Sequence, residues 1–197
     1  MASRTSNRLV EALQDELLVK FCRKFEEGSI SGHVLEVGPQ FFMVALVDDS
    51  IRFNGFLCLR VSDVRHLEAP HKYAAFAEAA LRKRSDRRPK KPRVSLANIE
   101  ELLLSANRAF PLLTIHREKV DPDLCWIGRV LKIGKGRVSF LEIGPDATWD
   151  KNPNEYTLAE ITRVDFGGDY EKALLLVGGP APAQQPVEIV RGELTRL

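Results

Sequence analysis

The chain reads as mainly β, with two tandem small barrels, each preceded by an N-terminal α-helix. Three observations lead there. A block of glycines and apolar residues recurs along the chain, each copy divides into about five short apolar segments separated by turn residues, and apolar residues at helical spacing precede each copy.

The recurrence is explicit. Gly32-His33-Val34-Leu35-Glu36-Val37-Gly38 lies over Gly128-Arg129-Val130-Leu131-Lys132-Ile133-Gly134 at an offset of 96. Each block runs into an apolar segment, at 41–47 and at 137–143. The second copy then gains one residue, after which Leu59-Arg60-Val61-Ser62-Asp63-Val64-Arg65 falls on Tyr156-Thr157-Leu158-Ala159-Glu160-Ile161-Thr162. Tyr73 falls on Tyr170, and an alanine-containing apolar stretch follows each tyrosine. Agreement of this kind over roughly 80 residues marks duplication of one unit.

In chain order, Leu9, Val10, Leu13 and Leu17 recur every three to four residues and predict the first helix. Strands are expected near 18–24, 29–37, 41–47, 52–61 and 63–68. Ile99, Leu102, Leu103 and Ala106 predict the second helix, with Ser95 as its candidate N-cap, Glu100 and Glu101 in its first turns and Pro111 limiting its extent. Strands near 112–118, 125–134, 137–144, 155–160 and 161–166 complete the second copy. Gly38-Pro39, Asp48-Asp49, Gly134-Lys135-Gly136 and Gly144-Pro145-Asp146 supply turns, and Asn54-Gly55 reads as a two-residue hairpin turn. The organisation is then a first repeat over 1–81, a basic proline-bearing linker over 82–94, a second repeat over 95–180, and a tail over 181–197 in which Val187-Glu188-Ile189-Val190 could add a strand.

A helix followed by five bent strands, with Gly-x-Val after the first turn and an acidic-hydrophobic closing strand, resembles the Sm-like branch of the SH3-like small barrels. The residues that carry the likeness are Gly32-His33-Val34 through Asp63-Val64-Arg65-His66-Leu67, and Gly128-Arg129-Val130 through Glu160-Ile161-Thr162-Arg163-Val164. The two-part layout also resembles a bacterial family with no assigned activity, which implies a bacterial origin. The Sm family reads RNA through an Asp/Asn loop and an Arg-Gly loop. Here the corresponding positions are Arg60-Val61-Ser62-Asp63 and Thr157-Leu158-Ala159-Glu160, without an Arg-Gly pair. Such a fold can be inherited without its site.

Composition narrows the function classes. Of the 197 residues 44% are hydrophobic and 28% charged, the balance of a globular chain, and the longest apolar run, 41–47, is far too short to span a bilayer. No membrane association is expected. The first residues carry acids within their apolar pattern and make a poor secretory signal. Cys22, Cys58 and Cys125 are odd in number and widely spaced, which predicts reduced, mostly buried thiols and a cytoplasmic protein.

The net charge of +2 conceals an asymmetry: residues 82–93 hold eight Lys/Arg against one Asp, a local +7 that leaves −5 for the rest. Arg82, Lys83, Arg84, Arg87, Arg88, Lys90, Lys91 and Arg93 are therefore the candidate nucleic-acid-binding residues. The competing reading is a self-repelling linker kept extended by Pro89 and Pro92. No aromatic residue interleaves with the cations to stack bases.

Trp149, inside the polar stretch DATWDKNPNEY, is the candidate partner-binding residue; the alternative is a lid folded over the second barrel. Trp126 belongs in a strand and in the core. His116 and Cys125 invite a metal or nucleophile reading, but two soft ligands fall short of a zinc site, so His116 is read as a strand residue and Asp121-Pro122-Asp123 as a turn. Glu142, Asp146 and Asp150 read as a polar loop, and Gly167-Gly168 as a turn without phosphate-loop spacing. No catalytic motif, cofactor fingerprint or metal set is present in the sequence. The leading expectation is a non-catalytic interaction or scaffold protein that binds a protein partner or itself. The alternative is an RNA- or nucleic-acid-binding module, and the third class, an enzyme, has no motif behind it.

Overall fold

The computed structural model describes residues 3–25, 27–182 and 188–190. The chain divides into two compact units, the first closing at Asn98 and the second starting at Ile99. The first unit begins with α1 (Arg4–Gln14), whose first turn is capped by the Ser3 hydroxyl accepting from the Ser6 N–H at 3.1 Å. Five strands follow: β1 (Leu18–Arg23), β2 (Ile30–Val37), β3 (Phe41–Val47), β4 (Phe53–Arg60) and β5 (Val64–Glu68). A single 3₁₀ turn, Val61–Asp63, joins β4 to β5, and α2 (Ala74–Lys83) comes next. The second unit repeats the plan with α3 (Ile99–Ala109), β6 (Leu113–His116), β7 (Cys125–Gly134), β8 (Arg137–Glu142), β9 (Asn154–Thr157), a 3₁₀ turn over Leu158–Glu160, β10 (Arg163–Phe166) and α4 (Asp169–Gly178).

Both units build antiparallel sheets in the same order, β5-β1-β2-β3-β4 and β10-β6-β7-β8-β9. The barrels expected from the sequence are not closed: among the described residues no ladder joins β4 to β5 or β8-β9 back to β10. In each unit the 3₁₀ turn carries the chain away from the strand it has just left. The next strand then pairs with the unit's first strand, Phe21 opposite Leu67 and Ile115 opposite Val164. The result is an open bent sheet. Its bend comes from an extra residue at equivalent places, Leu35 in β2 and Leu131 in β7, where the register slips by one.

The alternation of β1, β3 and β4 delivers Val19, Phe21, Phe42, Val44, Leu57 and Leu59 to one core, on which α1 lays Leu9 and Ala12. Leu18, Val47 and Leu81 form a second cluster beneath α2. In the other unit Leu112, Ile143 and Leu174 pack together.

Three local expectations change. Asn54-Gly55 is not a turn; both lie in β4, where Gly55 takes φ +77° at a bulge opposite Ala45–Val47, and the chain reverses instead at Asp48–Arg52. Ser95 caps a turn at Ala97 ahead of α3 rather than the helix itself. Two helices, α2 and α4, occupy the alanine-containing stretches that the strand reading passed over. In the tail, Glu188–Val190 forms a short parallel strand, β11, beside the end of β7, with Lys132 and Glu188 paired at 3.0 Å; Val187 lies outside the described residues.

Candidate interaction surfaces

The basic run does not behave as one linker. Arg82 and Lys83 end α2, where the negative end of the helix dipole favours cations, and Arg82 lies 3.9 Å from Glu78. The residues beyond lie along the first unit as a strap. The Asp86 carboxylate accepts from the Phe53 N–H at 3.0 Å, and Arg84 donates to the carbonyls of Ser50 and Ile51. Arg88 pairs with Glu16 and Lys91 with Glu36, both at 2.6 Å. Val94 and Leu96 are buried in the same unit, and Leu96 abuts Gly38, whose missing side chain leaves room for it. Half of the predicted nucleic-acid residues, Arg82, Arg84, Arg88 and Lys91, thus have partners within their own unit. Lys83, Arg87, Lys90 and Arg93 are exposed and make no ion pair among the described residues.

A groove of about 660 Å³ opens on the first unit between the ends of β1–β3 and the start of α2. Leu18, Ile30, Val47 and Ile51 form its floor, and Tyr73 and Phe76 stand at its mouth, 59% and 66% exposed. Lys20, Asp48, Asp49 and His71 give it a polar rim. Asp48 is committed to its turn, accepting from the Ser50 and Arg52 N–H groups at 2.9 and 3.1 Å. His71 accepts from the Tyr73 N–H at 2.9 Å, and its proton affinity is lowered by burial and then by Lys20. Sequence reasoning picked out Tyr73 only as a repeat marker; Phe76 within an alanine-rich helix was the signal available. On α4 the corresponding face exposes Tyr170, Leu176 (86%) and Val177 (76%).

Trp149 is half-buried. It bridges to Ile143, packs against the Leu112–Ile143–Leu174 cluster, and donates its indole N–H to the Gly179 carbonyl at 3.2 Å. The side chain is thus engaged inside its own unit. Trp126 is half-buried rather than core: the Arg117 guanidinium lies 5.2 Å from the centroids of both Trp126 and Tyr156 and also binds Glu160 at 2.9 Å. The Tyr156 hydroxyl donates to Glu142, and burial together with that carboxylate pushes its proton affinity well above the ordinary phenol range.

His116 and Cys125 face each other across β6 and β7. His116 Nε2 donates to Asp165 at 3.0 Å, while Arg163 grips the same carboxylate through Nε and Nη2 at 2.7–2.9 Å. Burial alone would raise Asp165, but Arg163 and then His116 more than offset it and hold the carboxyl well below its usual range. Burial, and next the Asp165 charge, pushes the Cys125 thiol up, which opposes a nucleophilic role. The cysteines are not mostly buried: Cys58 is, Cys22 is half-buried and Cys125 is exposed, each as a free thiol. Among the described residues no group of three or more His, Cys, Asp or Glu is arranged to hold a metal ion, and no helix is long and apolar enough to cross a membrane. Compared with known protein families, with curated proteins and with solved structures, the chain finds no match.

Proposed function

We propose that this chain is a non-catalytic interaction protein built on two units of Sm-like plan, and that the exposed apolar faces of α2 and α4 bind a protein partner or a second copy. The observation that carries this reading is the placement of Tyr73 and Phe76 over a preformed groove, together with Leu176 and Val177 on the equivalent helix of the other unit. Large apolar side chains grouped on a surface mark interaction sites, and aromatic anchors carry much of the energy at such contacts. The Sm-like plan is supported by the strand order, the 3₁₀ turn before the closing strand and the leading helix, all present twice. The test compares the unaltered chain with Tyr73→Ser/Phe76→Ser and Leu176→Ser/Val177→Ser by light scattering and by quantitative affinity capture. Loss of self-association or of a bound protein in either variant supports the proposal; identical behaviour of all three chains overturns it.

A second reading, nucleic-acid binding, is favoured by the four exposed cations that make no ion pair. It predicts that single-stranded RNA binds with a log–log salt slope of roughly −3, from four phosphate contacts at about −0.7 each. Fluorescence anisotropy at two salt concentrations measures it, and Lys83→Ser/Arg87→Ser/Lys90→Ser/Arg93→Ser should abolish it.

A further inference from the structure

β2 and β7 each continue past their bulge, at Leu35 and Leu131, and there the first strand of the unit no longer covers them. Among the described residues β1 pairs with β2 over 30–33, and β6 with β7 over 125–128. Beyond that point β7 takes β11 on its outer edge in parallel register, with Glu188 opposite Lys132, Ile189 opposite Ile133 and Val190 opposite Gly134. The corresponding place on β2 is Glu36, 96 residues before Lys132, and it receives Lys91 of the strap at 2.6 Å. Lys91 in turn lies 97 residues before Glu188, and Pro89 and Pro186 keep the same spacing. Strap and tail are thus two copies of one segment, and the ion pairs they make have their signs exchanged. The tail is lightly seated. Glu188 and Ile189 are both exposed, and a surface ion pair such as Lys132–Glu188 contributes little to stability.

We propose that the β7 edge over 132–134 is an acceptor site for an extended acidic segment of a protein partner, with the tail as its resident competitor. Strand addition of this kind draws affinity from main-chain hydrogen bonds and selectivity from the side chains along the added strand. The selective group is Lys132, whose ammonium favours a carboxylate opposite it and repels a cation. The exchanged signs support that selectivity. Lys91 brought to Lys132, or Glu188 brought to Glu36, would set like charges side by side, so each edge rejects the other's segment. The site is separate from the faces of α2 and α4, and either reading can fail alone.

The experiment measures fluorescence anisotropy of a labelled peptide with the sequence of residues 186–192, and of the same peptide carrying Glu188→Lys. Each is titrated with the full chain, unaltered or as Glu188→Lys/Ile189→Pro, which removes the tail's charge match and breaks its ladder at two exposed positions. This variant should bind the acidic peptide at least about tenfold more tightly than the unaltered chain, whose own tail competes at high effective concentration. It should prefer the acidic peptide over the basic one by about fivefold, and adding Lys132→Glu should reverse the preference. No binding by the variant, equal binding of the two peptides, or a preference that survives Lys132→Glu overturns the proposal. Binding by the unaltered chain as tight as the variant's does the same, since the peptide would then sit elsewhere. A dimer of the unaltered chain that the variant loses, read by light scattering, would also overturn it by assigning the edge to the tail of a second copy.

Discussion

Gly32 and Gly128 hold matching places in the two units, and the structure shows why neither can carry a side chain. A Cβ on Gly32 would stand 2.4 Å from the Ala45 carbonyl oxygen, and one on Gly128 only 1.9 Å from that of Leu141. The repeated glycine therefore marks a close approach of neighbouring strands. Gly128→Ala should cost about 2 kcal/mol or more, because backbone must move to admit the methyl group. Urea denaturation followed by tryptophan fluorescence reads this, and an unchanged midpoint would contradict it. Asp165 makes a second prediction at this scale. Its folded form binds a proton less tightly than the unfolded chain does, so its contribution is present above about pH 4 and lost as the pH falls further. Arg163→Ala leaves a buried carboxylate short of its main counter-charge and should cost about 3 kcal/mol at neutral pH. That loss should shrink when the titration is repeated at pH 3.

At the scale of elements, the strands were largely legible because alternation and the duplicated block locate them independently, and β1–β5 fall close to their expected limits. The helices α2 and α4 were not, although AAFAEAALRK is composed of strong helix formers. The strap was illegible for a different reason: its partners Glu16, Glu36 and Phe53 lie 33 to 72 residues away in the chain, and no local pattern announces pairs of that range. The groove depends on the same information, since Phe76 becomes a surface feature only once α2 is placed. Leu96 gives the strap a test. It precedes the second helix in sequence but is buried in the first unit, so Leu96→Ala should lower the first unit's stability by about 2–4 kcal/mol. Hydrogen exchange should show the loss at the amides of β2 and β3, while those of β7 and β8 keep their protection.

For the whole molecule, the two units lose stability in different acid ranges. His33 in the first is buried, donates Nδ1–H to the Glu16 carbonyl at 3.2 Å, and has its proton affinity lowered by burial and then by Arg88. The folded unit thus holds the neutral ring, and its stability falls as the pH drops below about 6.5. The second unit responds through Asp165 only below about pH 4. Both tryptophans, Trp126 and Trp149, belong to the second unit. An acid titration should therefore lose circular-dichroism signal before tryptophan fluorescence shifts, and coincident transitions would count against independent response.

The strap also makes the chain its own proteolytic clock. Trypsin cleaves after lysine and arginine but not before proline, so Arg88-Pro89 and Lys91-Pro92 are protected by covalent structure, and each of these two cations is also held in an ion pair at 2.6 Å. Between the ties at Asp86 and Leu96 the cleavable bonds follow Arg87, Lys90 and Arg93. Nicking there requires the segment to lift from the surface, so the rate of the first cut reports how often the ties release. Loosening one tie, for example with Glu16→Gln, should quicken that cut without altering the fold of either unit.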